Sequence, residues 1–354
     1  MRTSDNPLGL NGFEFCEFTG PAPDSIARQF EQLGFVAASR HPTRDVLRFR
    51  QGRINLLLNR EPEGHAATFR DLHGPSASGM AFRVAEPEEA YEFALARGAE
   101  PVPAEHGAFG ASYAIEGIGG ALLHLVGDDP DPDGLYRDWR PVPGAAEAGE
   151  AEGVGLCVLD HLTHNVGRGE MRTWADYYSR LFGFREQKFF DIKGQATGLF
   201  SKAMIAPDNA IRIPLNESQD EHSQIEEFIR EYRGEGIQHL ALTTDDIHDT
   251  VEKLHGRGVR LQDTLDTYYD LVDARVPGHG EDLARLRRNR ILIDGDAGSE
   301  GILLQIFTEN LFGPIFFEII QRKGNEGFGN GNFQALFESI ELDQIRRGVI
   351  PAKD

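Results

Sequence analysis

The sequence predicts an α+β protein in which a βαβββ unit is duplicated, giving two open, barrel-like modules with a helix at the C-terminal end. Three observations predict it. Short alternating apolar runs recur along the chain with helical patterns between them. Gly98 follows Gly79 by 19 residues, as Gly258 follows His239 by 19. Gly119-Gly-Ala-Leu-Leu-His124-Leu lies over Gly313-Pro-Ile-Phe-Phe-Glu318-Ile without a gap. Two independent registers that agree point to an internal repeat.

In the first half, Phe13–Phe18 alternates like a half-buried strand, and Pro23–Leu33 has helical spacing that stops at Gly34. Strands follow at Val46–Arg50, Ile54–Leu58 and Gly79–Val84. A helix over Pro87–Ala96 ends at Arg97-Gly98, where the glycine suits a C-cap. Strands around Tyr113–Ile115 and Ala121–Leu125 close the module. Residues 127–153, rich in Pro, Gly, Ala and acid, read as a linker or loose surface segment. This divides the chain into modules 1–150 and 151–354.

The second half repeats the plan. Leu159–Val166 is a strand, and Met171–Leu181 a helix stopped by Gly183-Phe184. Strands follow at Lys202–Ile205, Ala210–Pro214 and Ile237–Thr243, then a helix at Ile247–His255. Two apolar runs, Gly301–Thr308 and Gly313–Arg322, close it. A Gly/Asn/Phe-rich turn and a helical pattern over Asn332–Glu341 come last.

The totals narrow the function. The chain has 354 residues and a formal net charge of −21, which opposes binding to nucleic acid or an anionic membrane. It has no apolar run long enough to span a bilayer and no secretion signal at its start. Cys16 and Cys157 lie far apart and read as free thiols in a reducing compartment. The expectation is a cytoplasmic protein.

Glu318 is a lone acid inside an apolar strand, costly to bury unless a cation compensates it. His161 and His239 sit mid-strand at near-equal spacing, 78 and 79 residues (239 − 161 and 318 − 239). Two imidazoles and a carboxylate on one face of a metal leave positions open, as oxygenases require. The same ligands also suit Ni, Cu and Zn, and a single buried histidine is more often a hydrogen-bonded core residue. His164 is three residues from His161 and points to the opposite face of a strand. The first module lacks the set: Gly79 replaces the second histidine, His124 the acid, and Phe13–Phe18 has no histidine. It reads as a metal-free structural or dimer-forming module.

Leu159-Asp-His161-Leu-Thr-His-Asn-Val, Gly236-Ile-Gln238-His239-Leu-Ala-Leu, Leu303-Leu-Gln305-Ile-Phe307-Thr, Phe317-Glu318-Ile-Ile-Gln-Arg-Lys-Gly and Gly327-Phe328-Gly-Asn-Gly-Asn332-Phe333 together resemble the 4-hydroxyphenylpyruvate dioxygenase family of the vicinal oxygen chelate superfamily. The resemblance covers essentially the whole chain. It implies an Fe(II) enzyme that converts 4-hydroxyphenylpyruvate and O₂ to homogentisate and CO₂ in tyrosine catabolism. The substrate's own 2-oxo acid would chelate the metal, so no 2-oxoglutarate is needed. It implies His161, His239 and Glu318 as iron ligands and a homodimer or homotetramer. It further implies a substrate site of Ser201, Asn216, Gln224, Gln238 and Gln305, with Phe307, Phe328, Asn332, Phe333 and Phe337 about it. The last helix becomes a lid on the hinge Gly327–Gly331. An aryl oxo acid needs such flat apolar walls with a few neutral donors. The related hydroxymandelate synthase shares substrate and ligands, with a smaller residue at the position of Phe337. A non-catalytic metal- or small-molecule-binding protein is the reading from another class, and it predicts a degraded ligand set.

Overall fold

The computed structural model describes residues 2–103, 113–194 and 196–348. In the first half the strands are β1 Phe13–Thr19, β2 Val36–Arg40, β3 Val46–Gln51, β4 Ile54–Asn59, β5 Ser76–Val84, β6 Tyr113–Glu116, β7 Leu122–Gly127 and β8 Arg140–Pro141. The helices are α1 Pro23–Gln32, α2 His65–His73, α3 Pro87–Leu95 and α4 Ala145–Glu152. The second half adds β9 Leu156–Val166, β10 Arg185–Lys193, β11 Gly198–Ile205, β12 Arg212–Ser218, β13 Gly236–Thr244, β14 Leu292–Asp296, β15 Gly301–Phe307 and β16 Phe316–Lys323. Its helices are α5 Met171–Phe182, α6 Gln224–Tyr232, α7 Ile247–Gly256, α8 Asp266–Asp270, α9 Val272–Arg275, α10 Leu283–Asn289 and α11 Asn330–Arg346.

Two eight-stranded sheets result, ordered β6-β7-β5-β1-β4-β3-β2-β8 and β10-β11-β12-β9-β13-β16-β15-β14. Each second-sheet unit runs strand, helix, three strands, and its first and last strands pair in parallel: β9 with β12, β13 with β16. The two units join through the antiparallel pair β9–β13. The first sheet pairs in the same way, with β1 parallel to β4, β5 parallel to β7 and β1–β5 as the seam, although among the described residues its second unit has two strands, β6 and β7, after α3. Gly183 ends α5 in the left-handed region (φ 72), where a side chain would be strained.

Alternation assigns each strand two environments. Cys16, Phe18, Leu162 and Phe317 face a core continuous between the halves, together with residues of α1, α3, α5 and α7. Phe18 meets Phe312 edge-on at 5.5 Å and stacks on Phe317 at 6.4 Å. His164 lies on this core side, where its Nε2 and the Tyr178 hydroxyl are 2.7 Å apart. Burial pushes its imidazole down to about 3, so it is neutral. The opposite faces of the sheets carry Phe15 and His161, and each is covered by a later segment.

That cover corrects the reading of residues 127–153. Rather than a loose linker, this stretch folds over the first sheet. Tyr136 and Trp139 pack with Phe15, Val46, Leu57, Ala81 and Val126. Asp133 bonds Arg48 at 2.6 Å, and Arg48 lies over the Tyr136 ring. Composition concealed this because two large aromatics are enough to bury a segment that is otherwise small, acidic and turn-forming. Strands β2, β10 and β14 and helices α2, α6 and α8–α10 also escape the sequence reading. For β10 the reason is plain: Arg185–Lys193 is a charged, mostly exposed edge strand with no apolar alternation.

The repeat holds at the level of backbone pairing. His239 pairs with Phe316 as Gly79 pairs with Leu122, and Ala241 pairs with Glu318 as Ala81 pairs with His124. Across the seams, Ala241 pairs with His161 as Ala81 pairs with Phe15. Phe15, Gly79 and His124 therefore stand where the second sheet has His161, His239 and Glu318.

Candidate metal centre

The second sheet gathers its chemistry around Ala241, which is in register with His161 of β9 on one side and Glu318 of β16 on the other. His239 lies two residues earlier on the same face of β13. All three side chains are buried. His161 Nε2 is 3.1 Å and His239 Nε2 3.5 Å from Glu318 Oε2. Among the described residues these are the one group of His, Cys, Asp and Glu whose ligand atoms converge, all within 4.8 Å of one another.

Each ligand is held from behind. His161 Nδ1 donates to Asp160 Oδ1 at 2.9 Å and His239 Nδ1 to Gln238 Oε1 at 3.1 Å. Fixing Nδ1–H leaves both Nε2 lone pairs directed at the same point, which is how metal-binding histidines are oriented. Glu318 Oε1 accepts from Gln305 Nε2 at 2.6 Å, Gln305 Oε1 accepts from Asn332 Nδ2 at 2.8 Å, and Asn332 Oδ1 accepts from Tyr268 at 3.0 Å. A Cβ at Gly329 (φ 64) would overlap Gln305 Oε1, so glycine is what lets the start of α11 lie against this chain.

The electrostatics suit a cation. Burial alone would raise the Glu318 carboxyl, yet His161 and His239 bring it down to about 2, leaving it ionised. Burial lowers His239 below its ordinary value. At His161 burial acts the same way but is outweighed by the Glu318 and Asp160 carboxylates, which hold it above. Burial would likewise raise Asp160, but the Arg322 guanidinium keeps it well below the usual carboxylate range. Two imidazole nitrogens and one carboxylate oxygen, all buried and oriented, fit a divalent transition metal with open positions.

The triad opens into a cavity walled by aromatic and small neutral polar side chains, the mixed lining expected of a small-ligand site. Of the sequence-predicted substrate residues, Ser201, Asn216, Gln305, Phe307, Phe328 and Phe333 line it. Four do not. Gln224 and Gln238 line a separate polar cavity beyond Phe316, and Gln238 turns back to His239 Nδ1. Asn332 is fully buried behind Gln305. Phe337 is buried with Phe190, Ile225 and Phe328, one layer behind the wall, and its neighbour Leu336 takes the lining position.

Sequence reasoning missed Thr163, Phe190, Ala203, Pro214 and Leu336 in the lining. Thr163 was findable: two residues after His161, it shares that residue's face. Its Oγ1 and Asn216 Oδ1 are buried without a hydrogen-bond partner, as groups awaiting a ligand would be. Helix α11 crosses the open face. Phe333 meets Phe190 of β10 at 5.9 Å, while Gly331 N donates to Asp294 of β14.

Comparison with known proteins agrees with this geometry. A family model described as hydroxyphenylpyruvate dioxygenase, N-terminal, matches residues 4–138. One for the Glyoxalase/Bleomycin resistance protein/Dioxygenase superfamily matches residues 158–272. A 4-hydroxyphenylpyruvate dioxygenase of Pseudomonas aeruginosa is 54% identical, the alignment covering 98% of this chain and 97% of that one. Hemolysin VllY of Vibrio vulnificus is also 54% identical, with 98% of each covered. A solved mutant of 4-hydroxymandelate synthase from Streptomyces coelicolor superposes with a TM-score of 0.79 at 28% identity, over 95% of this chain and 99% of that one. The chain belongs to the 4-hydroxyphenylpyruvate dioxygenase family.

Proposed function

We propose that this chain converts 4-hydroxyphenylpyruvate and O₂ to homogentisate and CO₂ in tyrosine catabolism, with one Fe(II) held by His161, His239 and Glu318. The observation that carries the reading is the convergence of these three buried ligand atoms on an aromatic-walled cavity in a chain of this family. Bound Fe(II) supplies open positions for a 2-oxo acid chelate and for O₂.

The chain's own residues bind, orient and exclude water. Neither Lys nor Arg is among the residues described as lining the cavity, so the metal is the natural counter-charge for the substrate's carboxylate. Phe190, Phe307, Phe328 and Phe333 offer apolar faces to the aryl ring. Ser201, Asn216 and Thr163 offer neutral polar groups at the walls. Gln305 fixes Glu318, and Asn332 fixes Gln305. Leu336 and Phe333, from α11, cover the site and keep water from it. The 2-oxo acid is the substrate's own, so no 2-oxoglutarate takes part. The enzyme acts in the cytoplasm as a homodimer or homotetramer. Among the described residues no helix is long and apolar enough to cross a membrane.

The test is aerobic incubation of the Fe(II)-loaded protein with 4-hydroxyphenylpyruvate and chromatographic identification of the product. Homogentisate is the expected product. Hydroxymandelate would move the chain to the synthase reading, which the solved neighbour keeps in play. No oxygen uptake would leave only a binding protein.

A further inference from the structure

Arg322 lies on β16, four residues beyond Glu318 and on the same face. Its side chain is 11% exposed. Nε donates to Asp160 Oδ2 at 2.9 Å and Nη2 to Asp160 Oδ1 at 2.8 Å, a bidentate pair. Asp160 Oδ1 is the oxygen that also accepts from His161 Nδ1. The remaining arm, Nη1, donates to the carbonyls of Asn325 at 3.0 Å and Gly327 at 2.6 Å. Those carbonyls belong to the turn between β16 and α11. Phe328, next in the chain, stands edge-on to His161 at 5.4 Å and lines the cavity.

We infer that Arg322 is a positioning residue that couples the 325–327 turn, from which the lid helix starts, to the orientation of His161. The inference rests on the metal centre proposed above. Without Arg322, Asp160 would be a buried carboxylate short of a cation. Arg212 approaches Asp160 only at 3.5 Å and is committed to Glu326 at 2.5 Å. Asp160 would then turn, and the His161 ring would lose the hydrogen bond that aims Nε2. The coupling is reciprocal: a metal that fixes His161 also fixes Asp160, Arg322 and the turn.

A purely structural ion pair would alter stability but neither metal affinity in the folded protein nor the response of the turn to metal. The experiment therefore reads both in wild type, Arg322→Gln and Arg322→Lys. Co(II) affinity is measured by competition with a chromophoric chelator. Hydrogen exchange of amides 325–330 is followed with and without Co(II). In wild type, Co(II) slows exchange of the turn. In folded Arg322→Gln the affinity falls about 10- to 100-fold and the metal-dependent protection disappears. Arg322→Lys keeps the buried charge and hence the fold, and it recovers part of the affinity but not the protection. An ammonium cannot grip a carboxylate in two places and reach both carbonyls as well. Wild-type affinity or undiminished protection in the variants overturns the inference and leaves the metal centre standing. Failure of the wild type itself to bind Co(II) or Fe(II) overturns the metal centre, and the inference with it.

Discussion

Gln305 Nε2 donates to Glu318 Oε1 at 2.6 Å, so the amide that the resemblance assigns to the substrate site also holds the third ligand of the candidate metal centre in place. The other Glu318 oxygen is thereby left facing both imidazoles. Gln305→Ala is expected to lower Fe(II) affinity about 10-fold or more with the fold intact. Chelator competition under anaerobic conditions checks this. An unchanged affinity would show that Glu318 needs no such support.

Ala241 separates His161 from Glu318 in register and is fully buried. A longer side chain there must force the two ligands apart. Ala241→Leu is expected to abolish metal binding and to cost about 1–3 kcal/mol through overpacking. Metal titration together with a urea melt separates the two effects.

Glu17, on the covered face of the first sheet, gives a pH signature remote from the metal centre. Burial raises its carboxyl from 4.5 to about 7, and the hydrogen bonds from Ser78 (3.0 Å) and Asn59 (3.2 Å) only partly oppose this. The folded state then holds a proton that the unfolded state has lost between pH 4.5 and 7. Stability falls across that window and levels off above it. Glu17→Gln removes the penalty, so its gain over wild type should be near zero at pH 4 and on the order of 3 kcal/mol at pH 8. Urea midpoints at the two values measure it; an equal difference at both would refute the assignment.

Trp139 and Tyr136 seal the first sheet. Trp139→Ala should destabilise the protein by about 3–5 kcal/mol while leaving metal affinity unchanged, because the sealed face carries Phe15, Gly79 and His124 where the other sheet has its ligands. A drop in metal affinity at temperatures where the variant is folded would contradict this.

Much of the plan is legible in the sequence, for physical reasons. The βαβββ repeat shows in strand alternation and in the spacings from Gly79 and Gly119, and those registers match the backbone pairing of both sheets. The convergence of His161, His239 and Glu318 follows from each being an inward residue on neighbouring strands. His164 was rightly set aside on parity alone, and the structure puts it against Tyr178. What sequence cannot supply is the direction of a flexible side chain. Gln238 folds back onto the adjacent histidine, and Phe337 rotates one layer out of the wall while Leu336 takes its place. Edge strand β10, mostly exposed and largely charged with no apolar alternation, hid Phe190. The acidic composition of residues 127–153 outweighed the two aromatics that decide their fate.

The central claim is that His161, His239 and Glu318 together hold the metal. Anaerobic equilibrium dialysis of Fe(II) against wild type and Glu318→Ala tests it most directly. The account predicts one tightly bound Fe(II) per wild-type chain, and loss of that binding in a Glu318→Ala protein whose circular dichroism is unchanged. Retention of stoichiometric Fe(II) by Glu318→Ala would contradict it.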